Sequence, residues 1–167
     1  EGINSQVVTV ITVDDITTEN KFGFFGHLGN NAIVRNLKFA TSIGVNDSNG
    51  FTQAAVYAGG VAGYAEDALF VDVASTANIS VDLPNSTKDV YTGIFVGEAA
   101  GLNIESISKL SSVRAHASLT VNTKGNNFAG AVAGKATNMY IKDLELDLSG
   151  LSIILRNNDS TNNVYGG

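Results

Sequence analysis

Few residues of this chain combine a reactive side chain with a spacing that catalysis or metal binding could use. The two histidines lie far apart in the sequence. His27 follows a glycine, whereas His116 belongs to a strand-like segment in which it alternates with apolar residues and therefore lies on the polar face. We expect both to be solvated surface residues. The sequence contains no His-Glu-x-x-His zinc pattern and no Gly-x-Ser-x-Gly nucleophile elbow. With no cysteine, it also offers no thiolate nucleophile or ligand.

The strongest catalytic candidates are the carboxylates of Asp143, Glu145 and Asp147. With the neighbouring Lys142 they match the acid and base with which some β-helices cleave acidic polysaccharides. Glu145 and Asp147 alternate with leucines, however, which is typical of the solvated face of a strand. The loop VNDSNG resembles part of a calcium-binding loop, but it begins with Val45 and no glutamate closes it. We therefore predict that the chain is not an enzyme and has no catalytic residue, cofactor or metal.

The overall charge narrows the class of partner. Sixteen acidic and ten basic residues give a net charge of −6, which argues against nucleic acid or an anionic membrane as the partner. Apolar residues make up 44% of the chain, which is enough for one domain with a core, and no apolar run is long enough to span a bilayer.

Glycine-rich segments recur at a fixed period and indicate a stacked architecture. The segments GFFG, GGVAG, GIFVG and GAVAG end at glycines spaced 37, 34 and 37 residues apart: Gly26, Gly63, Gly97 and Gly134. An aromatic residue precedes the last three of these glycines by six positions, at Tyr57, Tyr91 and Phe128. Tyr165 opens a further unit. A repeat of this length is the signature of a solenoid.

A small polar residue follows each glycine by nine or ten positions, inside an apolar frame. These residues are Asn36, Asp72, Ser106 and Asp143. Asn and Asp tolerate left-handed backbone conformations, so the shared offset predicts a corner between two strands. Stacked from coil to coil, the four side chains would form a hydrogen-bonded ladder. The alternative is four unrelated surface turns.

The remaining pattern predicts strands. Val, Ile, Thr, Phe and Tyr occur in short alternating runs, whereas only the segment from Glu98 could form a short helix. A sandwich of sheets would not require a repeat. We therefore predict an all-β fold, a right-handed parallel β-helix (β-solenoid) of about four coils of ~36 residues with three strands per coil. The single domain 1–167 would contain coils 21–55, 56–90, 91–127 and 128–163, flanked by partial coils 1–20 and 164–167.

Alternation along the glycine-rich strands assigns their two faces. We predict that Tyr57, Gly59, Val61 and Gly63 face the interior, together with their counterparts in the next two coils. The opposite face carries no charge, which predicts that the same chain or a neighbouring molecule covers it. As an association face it would comprise Ala58, Gly60, Ala62, Ile94, Val96, Ala129, Ala131 and Ala133. A tolerated surface of small residues is the alternative.

The segments GFFGHLGNNAIVRNLKF and AGGVAGYAEDALFVDV resemble GLUG-type repeats. This pattern has a glycine-flanked apolar pair, a short polar stretch and a closing I-x-N-apolar segment. The resemblance covers four units, from about Lys21 to Leu155, and this chain departs from it at Ile94, Ala131 and Ser106. It implies a parallel β-helix in an extracellular bacterial surface protein or adhesin, with no catalytic residues in the repeats.

Three functions remain open at this level. The first is a structural module of an extracellular surface protein, and the second is a subunit that stacks head to tail through open solenoid ends into a filament. The third is a β-helix that binds or cleaves carbohydrate. The expected partners are copies of this chain, other parts of a longer chain, or surface glycans. Four Asn-x-Ser/Thr triplets are candidate glycosylation sites: Asn46, Asn78, Asn85 and Asn158.

Overall fold

The chain winds through three parallel sheets, strand by strand. The computed structural model describes residues 5–29, 31–51, 53–101, 103–105, 118–142, 150–159 and 162–166. Strand β1 (Ser5–Asp14) precedes the first full coil, which contains β2 (Lys21–Phe22), β3 (Phe25–Leu28) and β4 (Ile33–Asn46). The second coil contains β5 (Val56–Gly59), β6 (Ala62–Glu66) and β7 (Leu69–Leu83).

The later coils repeat this order. The third contains β8 (Val90–Gly93), β9 (Val96–Ala100), β10 (Asn103–Glu105) and β11 (Ser118–Thr123). The fourth contains β12 (Asn127–Gly130), β13 (Ala133–Thr137), β14 (Tyr140–Lys142) and β15 (Ser152–Asn157). Strand β16 (Val164–Gly166) opens the next coil.

Each strand of a coil pairs with its equivalent in the next coil, always in parallel. Sheet 1 runs β1-β4-β7 and continues in two branches, through β10 to β14 and through β11 to β15. Sheet 2 runs β2-β5-β8-β12-β16, and sheet 3 runs β3-β6-β9-β13. This arrangement confirms the predicted parallel β-solenoid of about four coils of ~36 residues with three strands per coil. Its right-handed sense stays a prediction.

The register of sheet 1 places like residues on like residues. Ile11 pairs with Ile43, Ile43 with Ile79, Ile79 with Leu119 and Leu119 with Ile153. The neighbouring inward column consists of Val13, Val45, Val81, Val121 and Leu155. These apolar columns form the core because alternate side chains of every strand in sheet 1 point the same way.

The repeat glycines occupy the same register position in the successive strands of sheet 3. Phe25 pairs with Ala62 and His27 with Tyr64, so Gly26 lies opposite Gly63. The same register continues through β9 and β13 and aligns Gly97 and Gly134 with them. The coils therefore stack with the period predicted from the sequence repeat.

Sheets 2 and 3 meet backbone to backbone, and this close approach explains the glycines. A methyl group at Gly97 would lie 2.6 Å from the nitrogen of Ala58 and 2.6 Å from the carbonyl oxygen of Gly63. At Gly63 it would lie 2.5 Å from the nitrogen of Phe22. Since any side chain at these positions meets backbone, only glycine fits.

The predicted faces of sheet 2 require correction. Tyr57, Tyr91 and Phe128 are only half-buried and point outward, whereas the neighbouring Ala58 and Ala129 are buried in the core. The strands of sheet 2 end before a bend, which Gly60 and Val61 form in the second coil. The bend breaks the alternation on which the prediction relied, so Val61 is buried as predicted although Tyr57 is not.

The uncharged face is covered by the chain itself, which was one of the two alternatives. The residues buried within the monomer are Ala58, Gly60, Ala62, Ile94, Val96 and Ala129. Ala131 and Ala133, in the last full coil, are half-buried and pack against this core. The prediction of an association face is therefore wrong for these six residues, because they are already buried in the protein's own core.

Candidate functional site

An aromatic column runs along the outer side of sheet 2. Register places Tyr57, Tyr91, Phe128 and Tyr165 at one position of successive strands. Their rings stack nearly parallel, with centroids 5.4, 4.7 and 4.8 Å apart. Offset stacking of this kind stabilises a ring pair beyond the burial of its area. The first strand of the sheet places Lys21 at the same position.

A second column of sheet 3 faces the aromatic one across the glycine contact. It consists of His27, Tyr64, Glu98 and Lys135, which share one register position. The Tyr64 ring lies 6.1 Å from that of Tyr57, and Lys21 Nζ lies 5.2 Å from the Tyr64 centroid. Because the glycines bring the two sheets together, these polar and aromatic side chains form one cluster, called here the junction cluster.

Glu98 is the centre of the junction cluster. Glu98 is only 8% exposed, and a carboxylate buried to this extent needs hydrogen-bonding or cationic partners. Lys135 Nζ lies 2.7 Å from Glu98 Oε1, and the Tyr57 hydroxyl donates a hydrogen bond to the same carboxylate. Lys135 Nζ also lies 5.4 Å from the Tyr91 ring centroid, within the range of a cation–π contact.

The pKa shifts in the junction cluster all favour the protonated forms. Burial, followed by the charge and hydrogen bond of Glu98, raises the pKa of Tyr57. Burial, followed by Asp89, raises the pKa of Tyr91. The hydrogen bond to Glu98 raises the pKa of Lys135. A general base needs a pKa near the working pH, so these groups are tuned away from proton abstraction at neutral pH.

His27 lies at the edge of the cluster. Its side chain is half-exposed, Nε2 lies 3.9 Å from Glu66 Oε2, and its ring meets Tyr64 edge-on at 5.1 Å between centroids. Its surface position agrees with the prediction. His116 lies outside the described residues.

The outer face of sheet 1 carries hydroxyl and amide groups beside the exposed Val8, Val10 and Ile154, and it holds a depression of about 250 Å³. Its floor is at Gly44, where a methyl group would meet no atom within 4 Å. The hydroxyl and amide groups around it belong to Thr12, Ser42, Asn78, Ser80, Ser118 and Thr120. No sequence signal except the alternation of sheet 1 pointed to this depression.

Two of the four predicted corner residues can be located. Asn36 and Asp72 have left-handed φ values of 57° and 52°. They lie opposite each other in adjacent strands, since Arg35 pairs with Val71 and Leu37 with Val73. This geometry agrees with a corner inside a long strand. Ser106 and Asp143 lie outside the described residues, so the ladder of four stays a prediction.

The predicted catalytic alternative and the sequons can be placed only in part. Asp143, Glu145 and Asp147 lie outside the described residues, and Lys142 ends β14. The four sequon asparagines are exposed: Asn46, Asn78, Asn85 and Asn158. Their exposure is compatible with glycosylation, which stays a prediction.

Sequence reasoning missed a second corner, between sheets 3 and 1. The residues there have left-handed φ values between 54° and 66° at Asn31, Gly101 and Asn138, and 47° at Asp67. A backbone hydrogen bond of 3.1 Å links Asn31 to Asp67, and one of 2.9 Å links Asp67 to Ala100. The sequence did contain a signal for this corner, because successive residues of the four are 36, 34 and 37 positions apart.

A pair of buried hydroxyls was also missed. Thr41 Oγ1 donates to the carbonyl oxygen of Gly60, and Ser75 Oγ donates to that of Ile94, each at 2.7 Å. Both carbonyls lie in the bends between sheets 2 and 3, and that of Ile94 also accepts a hydrogen bond of 3.2 Å from the backbone nitrogen of Gly60. The spacing of 34 residues between the two hydroxyls, as between the two carbonyls, identifies them as repeat equivalents.

No protein-family model, curated protein or solved structure matches this chain. The similarity to GLUG-type repeats therefore rests on the quoted segments alone. Over the part of the chain that the structure describes, no helix has the length and apolarity to cross a membrane. Within the same residues, no three His, Asp or Glu side chains come together as a metal site.

Proposed function

We propose that this chain is a non-catalytic structural module of an extracellular surface protein or fibre, of the stalk or adhesin type. The observation that carries the proposal is the continuity of the core columns. The column from Ile11 to Ile153 and the column from Val13 to Leu155 pass through every strand level of sheet 1. A stack in which each coil contacts only its neighbours is suited to extension along one axis.

Side-chain hydrogen bonds between coils support the same role. Ser86 Oγ donates to the carbonyl oxygen of Phe51 at 2.5 Å, and Thr123 Oγ1 donates to that of Ser86 at 2.8 Å. In the next loop, Asn157 Nδ2 donates to the carbonyl oxygen of Gly125 at 2.9 Å. The loops are therefore tied to one another along the stack as the strands are.

The chemistry of the junction cluster favours a structural role over catalysis. Lys135 and Tyr57 are both engaged with Glu98, and their raised pKa values keep them protonated at neutral pH. Such a network stabilises two sheets against each other and holds Tyr57 and Lys135 in the forms that do not accept a proton.

Pulling the chain from its two ends tests the mechanical role. In single-molecule force spectroscopy we expect the coils to detach in steps of about 120 Å of contour length, the reach of one coil of extended chain. Release of the whole chain in one low-force event would contradict the proposal. Antibodies that label permeabilised but not intact source cells would contradict the extracellular setting.

Carbohydrate binding is the second candidate, and the depression on sheet 1 favours it. Hydroxyl and amide groups around the bare backbone of Gly44, with the exposed Val10 beside them, suit an uncharged sugar ring. The variant Gly44→Leu fills the depression without meeting another atom at its Cβ. If the chain binds glycans there, a glycan array should show binding by the natural chain and none by this variant, and equal signals would remove the candidate.

A further inference from the structure

The two ends of the solenoid have complementary strand edges. Among the described residues, β1 pairs only with β4, and β15 pairs only with β11. At the same two ends of sheet 2, β2 pairs only with β5, and β16 only with β12. Each of these four strands therefore has one backbone edge with which no described strand of this chain pairs, and such an edge is a template for another strand.

We propose that β15 of one copy of this chain pairs with β1 of a second copy in one defined register, and that β16 pairs with β2. The proposal rests on the structural role proposed above and specifies the partner and the contact. Continuing the columns of sheet 1 by one step places Ile153 on Ile11 and Leu155 on Val13 of the second copy.

Apolar burial favours this contact. In the inner coils the residues of these two columns are at most 2% exposed, as at Ile79 and Val81. At the ends, Ile11, Val13, Ile153 and Leu155 are only half-buried. Stacking would give these four side chains the burial of their equivalents, which stabilises the contact in proportion to the area removed from water.

Charge complementarity specifies the register. The outward column beside the apolar ones consists of Asp14, Asn46, Asp82, Asn122 and Arg156. Within the molecule its acids accept hydrogen bonds from the neighbouring amides: Asn46 Nδ2 donates to Asp14 Oδ1 at 3.3 Å, and Asn122 Nδ2 donates to Asp82 Oδ1 at 2.8 Å. One further step places the exposed Arg156 beside Asp14 of the second copy, and a slip of one residue would lose this pair.

Sheet 2 requires the same displacement. In both sheets the second copy is shifted by five strand levels, which is about 24 Å at the spacing of paired strands. In sheet 2 this shift sets Lys21 of the second copy over Tyr165, whose ring face is half-exposed at the end of the aromatic column. The shared coil would take its sheet 2 strand from one copy and its sheet 1 strand from the other. Sheet 3 has an open level there, so the contact comprises sheets 1 and 2.

The contact is heterologous, so it propagates into a filament when it does not close. Sedimentation velocity and electron microscopy of the full chain over a wide concentration range test it. We expect particles that lengthen with concentration in steps of about 24 Å. A folded chain that stays monomeric at every concentration would overturn stacking while leaving the structural role intact.

A charge exchange tests the register. Arg156→Glu and Asp14→Lys should each weaken association by about tenfold or more, because each opposes like charges. The double variant should recover most of the lost association. Arg35→Glu, which changes an exposed charge in an inner coil, is the matched control and should associate like the natural chain. Circular dichroism verifies that all variants fold, and a double variant no better than the single ones would overturn the register.

Discussion

Sheet 1 and the junction of sheets 2 and 3 follow the same repeat, but they fill their interiors in opposite ways. Sheet 1 has long strands, such as the 15 residues of β7, whose buried positions hold mainly Ile, Val, Leu, Phe and Ala. At the junction, two sheets of short strands approach so closely that glycine backbone replaces side-chain packing. The polar groups differ as well: those of sheet 1 lie on its outer face, whereas those of the junction form a cluster around a buried carboxylate.

This difference indicates that two regions of the same repeat unit tolerate amino-acid substitutions differently. On sheet 1, the packing of a column depends on side-chain volume, and volume-conserving changes are tolerated best. At the junction, packing depends on the absence of a side chain, so no substitution conserves it. We therefore expect the junction to be the more sensitive region, and the predictions below compare the two regions in order of decreasing effect.

The largest difference should separate two glycines. Gly97→Ala should destabilise the fold by about 3 kcal/mol, because its methyl group meets backbone on two sides. Gly44→Ala on the outer face of sheet 1 should be neutral or stabilise by about 0.5 kcal/mol, because it meets no atom and restricts the unfolded chain. Denaturant unfolding of both variants measures the contrast, and equal effects would refute the close-approach explanation.

The ion pair of the junction cluster should come next. Lys135→Met leaves Glu98, of which only 10% of the side chain is exposed, without its cation. Because Lys135 is itself 44% exposed, we expect a loss of only about 1–2 kcal/mol in the free energy of unfolding.

Two further variants provide the controls for this pair. Lys124→Met removes an exposed contact of 3.4 Å to Asn85 Oδ1 and should cost less than about 0.5 kcal/mol. Adding Glu98→Gln to Lys135→Met should recover stability, because it removes the unpaired charge. If the combined variant is less stable than Lys135→Met alone, the buried charge is not the cause of the loss.

Alkaline pH should have the smallest effect, and it should depend on the junction. The folded-state pKa values of Tyr57 and Tyr91 are raised above 10.0 and that of Lys135 above 10.5, so the folded chain holds these protons more tightly than the unfolded chain. Their stabilisation is complete below pH 10 and is lost as the pH rises through the raised pKa values.

Removing the two hydroxyls should therefore weaken the alkaline loss. Phenylalanine fits this column, as Phe128 shows. For the variant Tyr57→Phe/Tyr91→Phe, the melting temperature measured from neutral pH to above pH 10 should fall less steeply than for the natural chain. An unchanged alkaline slope would show that other groups control it.

Sequence periodicity predicted the features that recur in every coil. The spacing of Gly63, Gly97 and Gly134 predicted parallel stacking because a solenoid places equivalent residues on one another, and the apolar alternation predicted the core of sheet 1. Asn36 and Asp72 were identified because a polar residue inside an apolar frame conflicts with a simple strand, and a left-handed bend resolves that conflict.

Features that depend on the path between strands were not predictable in this way. Alternation assigned Tyr57 to the interior because it assumes an unbroken strand, and a two-residue bend reverses that assignment. The contact of Lys135 with Glu98 joins successive coils across a register position whose residues share no chemistry, so nothing in a repeat comparison marks it. Likewise, Thr41 matters only because Gly60 leaves a carbonyl oxygen to be satisfied on another sheet.

The in-register stacking of sheet 1 has a consequence for how such a chain can change its length over evolution. Every inner coil offers nearly the same upper and lower surface, as the columns through Ile43 and Ile79 illustrate. Duplication or loss of a segment of 34 to 37 residues would therefore join surfaces that already match. Gene variants should gain or lose whole units, while insertions within a unit are confined to the polar loops between sheets 1 and 2.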